Sequence, residues 1–598
     1  MAPALPTAPL ADGPAPAPPL PPPRPATAEI QDQRQGSTPA RTQVRGISGM
    51  AMSISGEADA VVVGSGATGG VAAMVLAEAG LRVLVLEAGP SLAPDRARGS
   101  EPLNTLRRLA SISSGCQRQQ VQHPGYWKHN PELFVDENDH PWTTPPESPF
   151  LWTRGRQVGG RSLTWGGITL RLSDHDFRAG ALDGHGPSWP IGSADLDPYY
   201  SRLERLLGVH GQADGLPQLP DGQFLPPLPF TPAEEQLGRA IGRELGLPLI
   251  HSRGFRLHRP GAGAAWAPSS SPGSTLARAL ATGRVRLRSE TVASHLEIRH
   301  GRAEGVVVVG RDGGRELLRA PLVVLCASTI ETLRILLHSL RDGGEAGLED
   351  RSGTLGRHLM DHISTSRFFS LPGVAEPDGA VELSGAGSCF IPNTVNLAGD
   401  EGLGFRRGYG IWTAIQRFDP PRPLRRRQGE AVGFLIAHGE VLSDPDNRVS
   451  LDGHRLDRHG LPIPRIQCRW GVNERAMVAH MQERMGQVVA AAGGTIRPIE
   501  ELFRLPLFEP WVRSAVAVAP GAAPPGYYIH ELGGARLSSD PDSGVLDPWN
   551  RCWGAPNVLV TDGASWPSSA WQSPTLTSMA LTWRACEAAA ARLRRGEG

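Results

Sequence analysis

The sequence predicts an α/β chain, α+β overall, in which a parallel sheet with crossover helices forms one domain and a second domain interrupts it. Three observations predict this. At 598 residues the chain exceeds what one hydrophobic core ordinarily organises, so two domains are the starting count. Residues 58–87 read as strand, glycine turn, helix and strand in immediate succession. Apolar strand-like runs return at 284–335 and at 557–562, so distant segments are expected to complete the sheet begun near residue 58.

The first fifty or so residues are rich in Pro and Ala and lack an apolar core with a cleavage site. Residues 1–55 are therefore expected to be a disordered leader rather than a signal peptide, with Met50 or Met52 as alternative starts. Residues 58–63 are an apolar strand ending in Gly64-Ser65-Gly66-Ala67-Thr68-Gly69, and residues 71–79 have helical spacing. Gly80 closes that helix, and residues 81–86 form a second buried strand with Glu87 at its end. Residues 91–155 are polar, show no sustained period and receive no assignment. From Gly155 the glycines crowd together (Gly159, Gly160, Gly166, Gly167), as in a loop whose backbone approaches something closely.

Residues 195–207 read as a capped helix with Asp197-Pro198 in its first turn. Strands at 285–287, 305–309 and 321–325, the last leading into a helix from Thr329, are expected to extend the first sheet. Residues 355–526 are assigned to the second domain, with a strand at 432–436 and a turn at Asp444-Pro445-Asp446-Asn447. Residues 527–598 return to the first domain, which otherwise spans 56–354, through a strand at 557–562 and an Ala-rich helix at 575–593.

Sixty basic and sixty acidic residues leave no net charge, which argues against nucleic acid and favours a small neutral ligand. Lys128 is the only lysine, and the wealth of Arg, Gly, Pro and Ala fits a GC-rich bacterial gene. The six cysteines lie far apart without a CxxC pair, supporting neither a zinc knuckle nor a disulfide scaffold, with a reducing cytoplasm as the default. No run of eighteen apolar residues occurs, so no membrane span is expected.

The glycines at 64, 66 and 69 have separate duties in a dinucleotide fingerprint. Gly64 makes the turn, Gly66 lets the backbone reach a pyrophosphate, and Gly69 allows close helix-strand packing. The helix N-terminus then faces the phosphates. Glu87, eighteen residues beyond Gly69, is placed to accept from a ribose hydroxyl; the competing reading is a strand-end carboxylate facing solvent.

Separated segments over most of residues 58–590 resemble the glucose-methanol-choline (GMC) oxidoreductases. They are the fingerprint through Leu86-Glu87-Ala88-Gly89, the loop from Gly155 to Gly167, Trp189-Pro190-Ile191 with Asp195-Leu196, and Leu355-Gly356-Arg357-His358-Leu359-Met360-Asp361-His362. They continue with His530-Glu531-Leu532-Gly533-Gly534-Ala535-Arg536, Asp562-Gly563-Ala564-Ser565 and Ser573-Pro574-Thr575-Leu576-Thr577. The resemblance is to the bacterial branch of sugar and sugar-acid dehydrogenases and to pyranose oxidase. It implies a Rossmann-like FAD domain with a discontinuous substrate domain on a mostly antiparallel sheet. It also implies FAD rather than NAD, cradled by Gly64, Ser65, Gly66, Gly69, Glu87, Gly160, Ser162, Thr164, Gly166, Asp562, Gly563, Pro574 and Thr575.

By the same resemblance His530 is the catalytic base, the substrate is an alcohol or sugar, and the electron acceptor is oxygen or a carrier left open. A neutral imidazole suits the task, because its reference pKa of about 6.5 lies near working pH. Two departures matter. Where the family carries a second His or Asn, this chain has Ser573, with Gln572 as a neighbour able to compensate; where some members attach FAD through a histidine, it has Thr164, so FAD is expected to be non-covalent. Ser573 keeps open a flavoprotein of this fold with elimination chemistry or lost activity, and the fingerprint by itself also permits a non-catalytic nucleotide binder. His358 and His362 stand four apart and would bind metal if helical, but no third ligand is identifiable.

Overall fold

Four consecutive apolar residues, Ala60–Val63, none more than 5% exposed, form a central strand of a six-stranded sheet. Such an unbroken apolar run marks a strand buried on both faces, as parallel sheets are. Val62 lies opposite Val85 of strand Val83–Leu86 on one side and Val324 of strand Leu322–Leu325 on the other, both parallel. Val285–Arg288 extends the first side, and Ala555–Val560 with the short antiparallel Arg551–Cys552 the second. The C-terminal segment thus supplies a strand beside Leu322–Leu325, a distant pairing that loop-closure entropy, growing slowly with length, allows.

The computed structural model describes residues 58–258, 265–340, 347–379, 381–417, 425–427, 429–504 and 521–597. The Pro/Ala-rich leader and both alternative start methionines lie outside the described residues. Helix Ala67–Glu78 crosses from the first strand and packs against helices Thr275–Ala281 and Thr575–Arg594. One large apolar core joins these helices to the parallel sheet.

Two expectations are corrected. The run at 305–309 belongs to strand Arg302–Val309, which does not extend the parallel sheet but forms a separate antiparallel sheet with Val292–Arg299 and Arg315–Arg319. His300 and Gly301, at φ 50° and 69°, make the tight primed-type turn that pairs a strand with its neighbour in sequence. The helix read at 195–207 is Ser193–Leu207, where the Gly192 N–H donates to Asp195 Oδ2 at 2.9 Å, so Pro198 falls in the second turn. The stretch left unassigned contains helices Pro94–Arg98, Glu101–Ser114 and Pro124–Lys128.

A second six-stranded sheet is antiparallel throughout, in the order Thr495–Ile496, Ile363–Pro372, Glu430–Gly439, Tyr409–Ile415, Cys389–Ile391 and Ile250–His251. The strand pleat sorts its residues by parity. Ile363, Phe369, Leu371, Tyr409, Ile411, Leu435 and Ala437 pack with helices Pro232–Leu245 and Val472–Ala491 in a second core. The opposite parity, including Ser364, Ser366, Trp412 and Ile436, turns toward the cavity described next.

Candidate active site

A cavity of about 820 Å³ runs from the glycine turn of the parallel sheet to the open face of the antiparallel one. That is within the range of small-molecule and cofactor sites. It is lined by Gly64, Ser65, Gly66, Glu87, Gly160, Ser162, Thr164, Gly166, His530, Asp562, Gly563, Ser573, Pro574 and Thr575, segments hundreds of residues apart. Two residues expected at the site are not on its wall, Gly69 and Gln572.

Gly69 serves packing. A Cβ there would lie 1.9 Å from the Gly64 carbonyl oxygen, so only glycine lets the helix seat against the turn. Gly64 has φ +100° and lies so close to the Cys326 carbonyl that a Cβ would come within 2.3 Å. Gly66 differs: its nearest neighbour to an added Cβ is the Gly159 carbonyl at 3.9 Å, and beside Gly166 there is nothing within 4 Å. Bare backbone therefore faces the cavity at the N-terminus of helix Ala67–Glu78, which is the cradle a pyrophosphate requires.

Glu87 is buried at the strand end rather than facing solvent. Its Oε2 accepts the Ser65 hydroxyl at 2.6 Å and the Ser65 N–H at 3.2 Å, and Oε1 accepts the Gly89 N–H at 3.0 Å. Burial raises its pKa, and these donors oppose the rise. The Ser65 hydroxyl also accepts the Gly159 N–H at 3.0 Å, and the Ser162 hydroxyl donates to the Gly159 carbonyl at 2.6 Å. Those bonds pin the glycine-rich loop across the mouth of the fingerprint. Asp562 caps the turn Gly563–Ser565, accepting from Ala564 N–H at 3.1 Å and from the Thr332 hydroxyl at 2.5 Å, and burial pushes its carboxyl up to about 6. Buried polar atoms without protein partners also remain beside the cavity, namely Arg156 Nη2, Trp165 Nε1 and Trp412 Nε1. Bare glycine backbone, a ribose-type carboxylate and unspent donors together fit a bound dinucleotide such as FAD.

His530 follows Ile529, whose φ of 63° is strained for a branched residue. The strain is held by Asp361, fully buried, whose Oδ1 accepts the N–H of His530 at 2.9 Å and of His362 at 2.8 Å while Oδ2 accepts the Gly526 N–H at 2.8 Å. Burial, reinforced by the Glu531 charge, pushes the Asp361 carboxyl up to about 7, against the pull of those three N–H groups. The Nδ1 atoms of His530 and His362 lie 2.8 Å apart, and the rings meet edge-on at 4.9 Å between centroids. The remaining nitrogen of His530, Nε2, has no partner among the described residues. Burial, with His362, His438 and Arg161 nearby, holds the His530 imidazole well below its ordinary pKa, so the ring is neutral. Behind it the Tyr528 hydroxyl and His438 Nδ1 are 2.8 Å apart.

Ser573 lies on the cavity wall, whereas the expectation that Gln572 compensates for it is corrected by the geometry. Gln572 is fully buried outside the cavity, its Nε2 donating to Asp176 Oδ2 at 2.7 Å and its Oε1 accepting the Trp571 N–H at 3.2 Å, so its amide is committed to packing. The metal spacing at 358 and 362 does not place its histidines together either. The segment is not helical, His358 sits at φ 63° with Nδ1 2.9 Å from the Ser443 hydroxyl, and His362 turns to His530. Sequence reasoning missed the second wall, Ser364, Thr365, Ser366, Trp412, Ile436 and Tyr528. The available signal was the Ser-Thr-Ser run soon after Asp361-His362, at the start of strand Ile363–Pro372.

Two family models match the chain, an FAD binding domain over residues 59–143 and the GMC oxidoreductase model over residues 443–582. Paromamine 6'-oxidase of Streptomyces fradiae is 30% identical over 562 residues, covering 89% of this chain and 91% of that protein. 2-Methyl-1,2-propanediol dehydrogenase of Mycolicibacterium austroafricanum is 27% identical over 565 residues, covering 88% and 94%. Among solved structures, pyridoxine 4-oxidase from Mesorbium loti superposes with a TM-score of 0.55 at 18% identity, over 89% of this chain and 99% of that one, a likeness of fold.

Proposed function

The chain belongs to the GMC oxidoreductase family, and on that premise we propose that it oxidises the CH–OH group of a neutral, hydroxyl-bearing alcohol or sugar, with His530 as the base. The observation that carries the reading is the partner-free Nε2 of a neutral His530 on the wall of the cavity whose other end is the dinucleotide cradle. When bound, FAD supplies the hydride acceptor. Nε2 of His530 takes the hydroxyl proton as the carbon loses hydride, and Ser573 offers a hydroxyl hydrogen bond to the substrate oxygen beside it. The hydroxyls of Ser364 and Ser366 and the indole N–H of Trp412 orient the rest of the substrate.

A neutral substrate is favoured by charge. Of the carboxylates on the cavity wall, Glu331 is paired with Arg154 and Arg334 and Glu531 with Arg161, while Glu87 and Asp562, which accept from Ser65, Gly89 and Thr332, belong to the dinucleotide end. The substrate end of the cavity, walled by Ser364, Ser366, Trp412 and Tyr528, thus offers an ammonium-bearing substrate no carboxylate of its own. FAD is held without a covalent bond, a reading supported by Thr164 at the loop position where relatives of this family use histidine; its hydroxyl donates to the Arg161 carbonyl at 3.4 Å.

Anaerobic mixing of the yellow holoenzyme with primary alcohols, vicinal diols, polyols, hexoses and an aminoglycoside tests the proposal. Bleaching by a neutral diol or sugar and not by the aminoglycoside is expected. Absence of bleaching by every hydroxyl compound overturns the redox reading, and bleaching by the aminoglycoside alone overturns the charge argument.

A further inference from the structure

The pair of facing Nδ1 atoms poses a question of proton placement that the fold itself answers. Two imidazole nitrogens 2.8 Å apart form a hydrogen bond only if one carries the proton and the other is bare. The other nitrogen of His362, Nε2, faces the Ser569 carbonyl oxygen at 3.4 Å, and the Ala570 carbonyl also lies against the ring. Carbonyl oxygens only accept, so Nε2 of His362 is the protonated nitrogen. His362 is neutral, because burial pushes its pKa down to about 4, and a neutral ring carries one N–H. Its Nδ1 is therefore a bare acceptor, and the proton in the shared bond belongs to His530 Nδ1. His530 in turn is left with its lone pair on Nε2, the nitrogen with no partner.

We propose that His362 is a positioning residue that fixes His530 as its Nδ1–H tautomer, directing the basic lone pair of Nε2 into the cavity. The chain runs from the Ser569 carbonyl through the His362 ring to the His530 ring, with no metal or carboxylate in it. His362 is 1% exposed and lies off the cavity wall, so it acts through His530 alone. The Asp361 carboxylate sets the geometry by accepting both backbone N–H groups on one oxygen, and so locks the two rings to a common anchor. When His530 accepts the substrate proton at Nε2, its Nδ1–H bond to a bare nitrogen strengthens, because the donor has become cationic. In this step the substrate O–H bond breaks as the Nε2–H bond forms, and the Nδ1–H bond toward His362 neither forms nor breaks. The inference rests on His530 being the base.

The experiment uses holoenzyme and the neutral diol or sugar that bleaches the flavin fastest, with anaerobic stopped-flow separating the limiting reduction rate from the substrate dissociation constant. His362→Leu removes the acceptor with little change in volume, and His362→Asn restores an acceptor oxygen near the position of Nδ1. The leucine variant is expected to keep its flavin and its substrate dissociation constant while its limiting rate falls about a hundredfold, within the range general-base catalysis spans. The asparagine variant is expected to recover most of that rate. His362→Leu combined with His530→Ala is expected to be no slower than His530→Ala alone, since the first residue acts only through the second.

A leucine variant as fast as wild type, an asparagine variant no faster than leucine, or additive losses in the double variant would overturn the inference. If leucine costs the fold or the flavin, the asparagine variant decides: holding flavin yet reducing no faster than His530→Ala refutes the relay. His530→Ala separates the two readings. Should it reduce at the wild-type rate, the base assignment falls and the relay with it; should it stall while His362→Leu does not, only the relay falls.

Discussion

Two glycines of one fingerprint are expected to fail in different ways when changed to alanine. At Gly69 the added Cβ would lie 1.9 Å from the Gly64 carbonyl oxygen, where ordinary contact begins at 3.4 Å, so helix Ala67–Glu78 and the turn must separate by about 1.5 Å. The helix cannot yield freely, because it is wedged against Thr275–Ala281 and Thr575–Arg594. Overpacking of this kind costs about 1–3 kcal/mol, and displaced N–H donors to a charged ligand lose about 1.5–3 kcal/mol each. Gly69→Ala is thus expected to lower the melting temperature of the flavin-free protein and to weaken flavin binding by roughly tenfold to a hundredfold or more.

Gly66→Ala is the contrast. Its φ of −71° suits alanine, and the new Cβ would meet nothing nearer than 3.9 Å, so the flavin-free protein should melt at or slightly above the wild-type temperature. That methyl projects toward the space a pyrophosphate needs, and flavin retention should fall. The assay is a thermal melt of each protein stripped of flavin, followed by flavin titration. A Gly69→Ala protein that melts and binds flavin as wild type does would refute the packing argument. A Gly66→Ala protein that binds flavin normally would refute the cradle.

Five further expectations follow from the site. His530→Ala should keep its flavin but lose about 10²–10⁴ in the limiting rate of anaerobic reduction. Because the His530 pKa is held well below its ordinary value, that rate in the wild type should stay flat as pH falls through about 6.5, with the acid limb appearing only below; a limb centred on the ordinary histidine value would contradict it. Asp361→Asn puts an NH₂ group against one of three backbone N–H donors, a mismatch costing about 1–3 kcal/mol, and chemical denaturation should show that loss together with slower reduction. For Glu331, burial opposes ionisation but Arg154, Arg334 and Arg156 outweigh it and hold the carboxyl far below its usual value. Its stabilisation is present above the unfolded glutamate value of 4.5 and is lost as pH falls below that, so Glu331→Gln should flatten the acid side of the stability profile. Acid precipitation of the holoenzyme should release all yellow colour to the supernatant if FAD is non-covalent; colour in the pellet would contradict the reading of Thr164.

The glycine turn and the buried strand-end Glu87 were legible in the sequence, because their geometry is local. Gly64, Gly66 and Gly69 are separated by the steps of one turn, and Glu87 by one helix and one strand, so their duties follow from backbone geometry over a short span. The strand run at 321–325 was equally legible, its residues Leu322–Leu325 being buried on both faces and hence apolar throughout, whereas Val285-Arg286-Leu287 is an edge strand that keeps an exposed arginine. The tertiary structure alone decided what surrounds His530. His362 was present in a recognisable segment, yet its four-residue spacing from His358 suggested metal, and only the extended backbone there turns it onto a ring 168 residues away. Gln572 and Ser573 are adjacent in sequence and face opposite environments, one bonded to Asp176 and the other on the cavity wall. The substrate wall was hidden for a similar reason. A strand with one face on a core and the other on a cavity shows which residues alternate, but not which face is empty, until the sheets are set against each other.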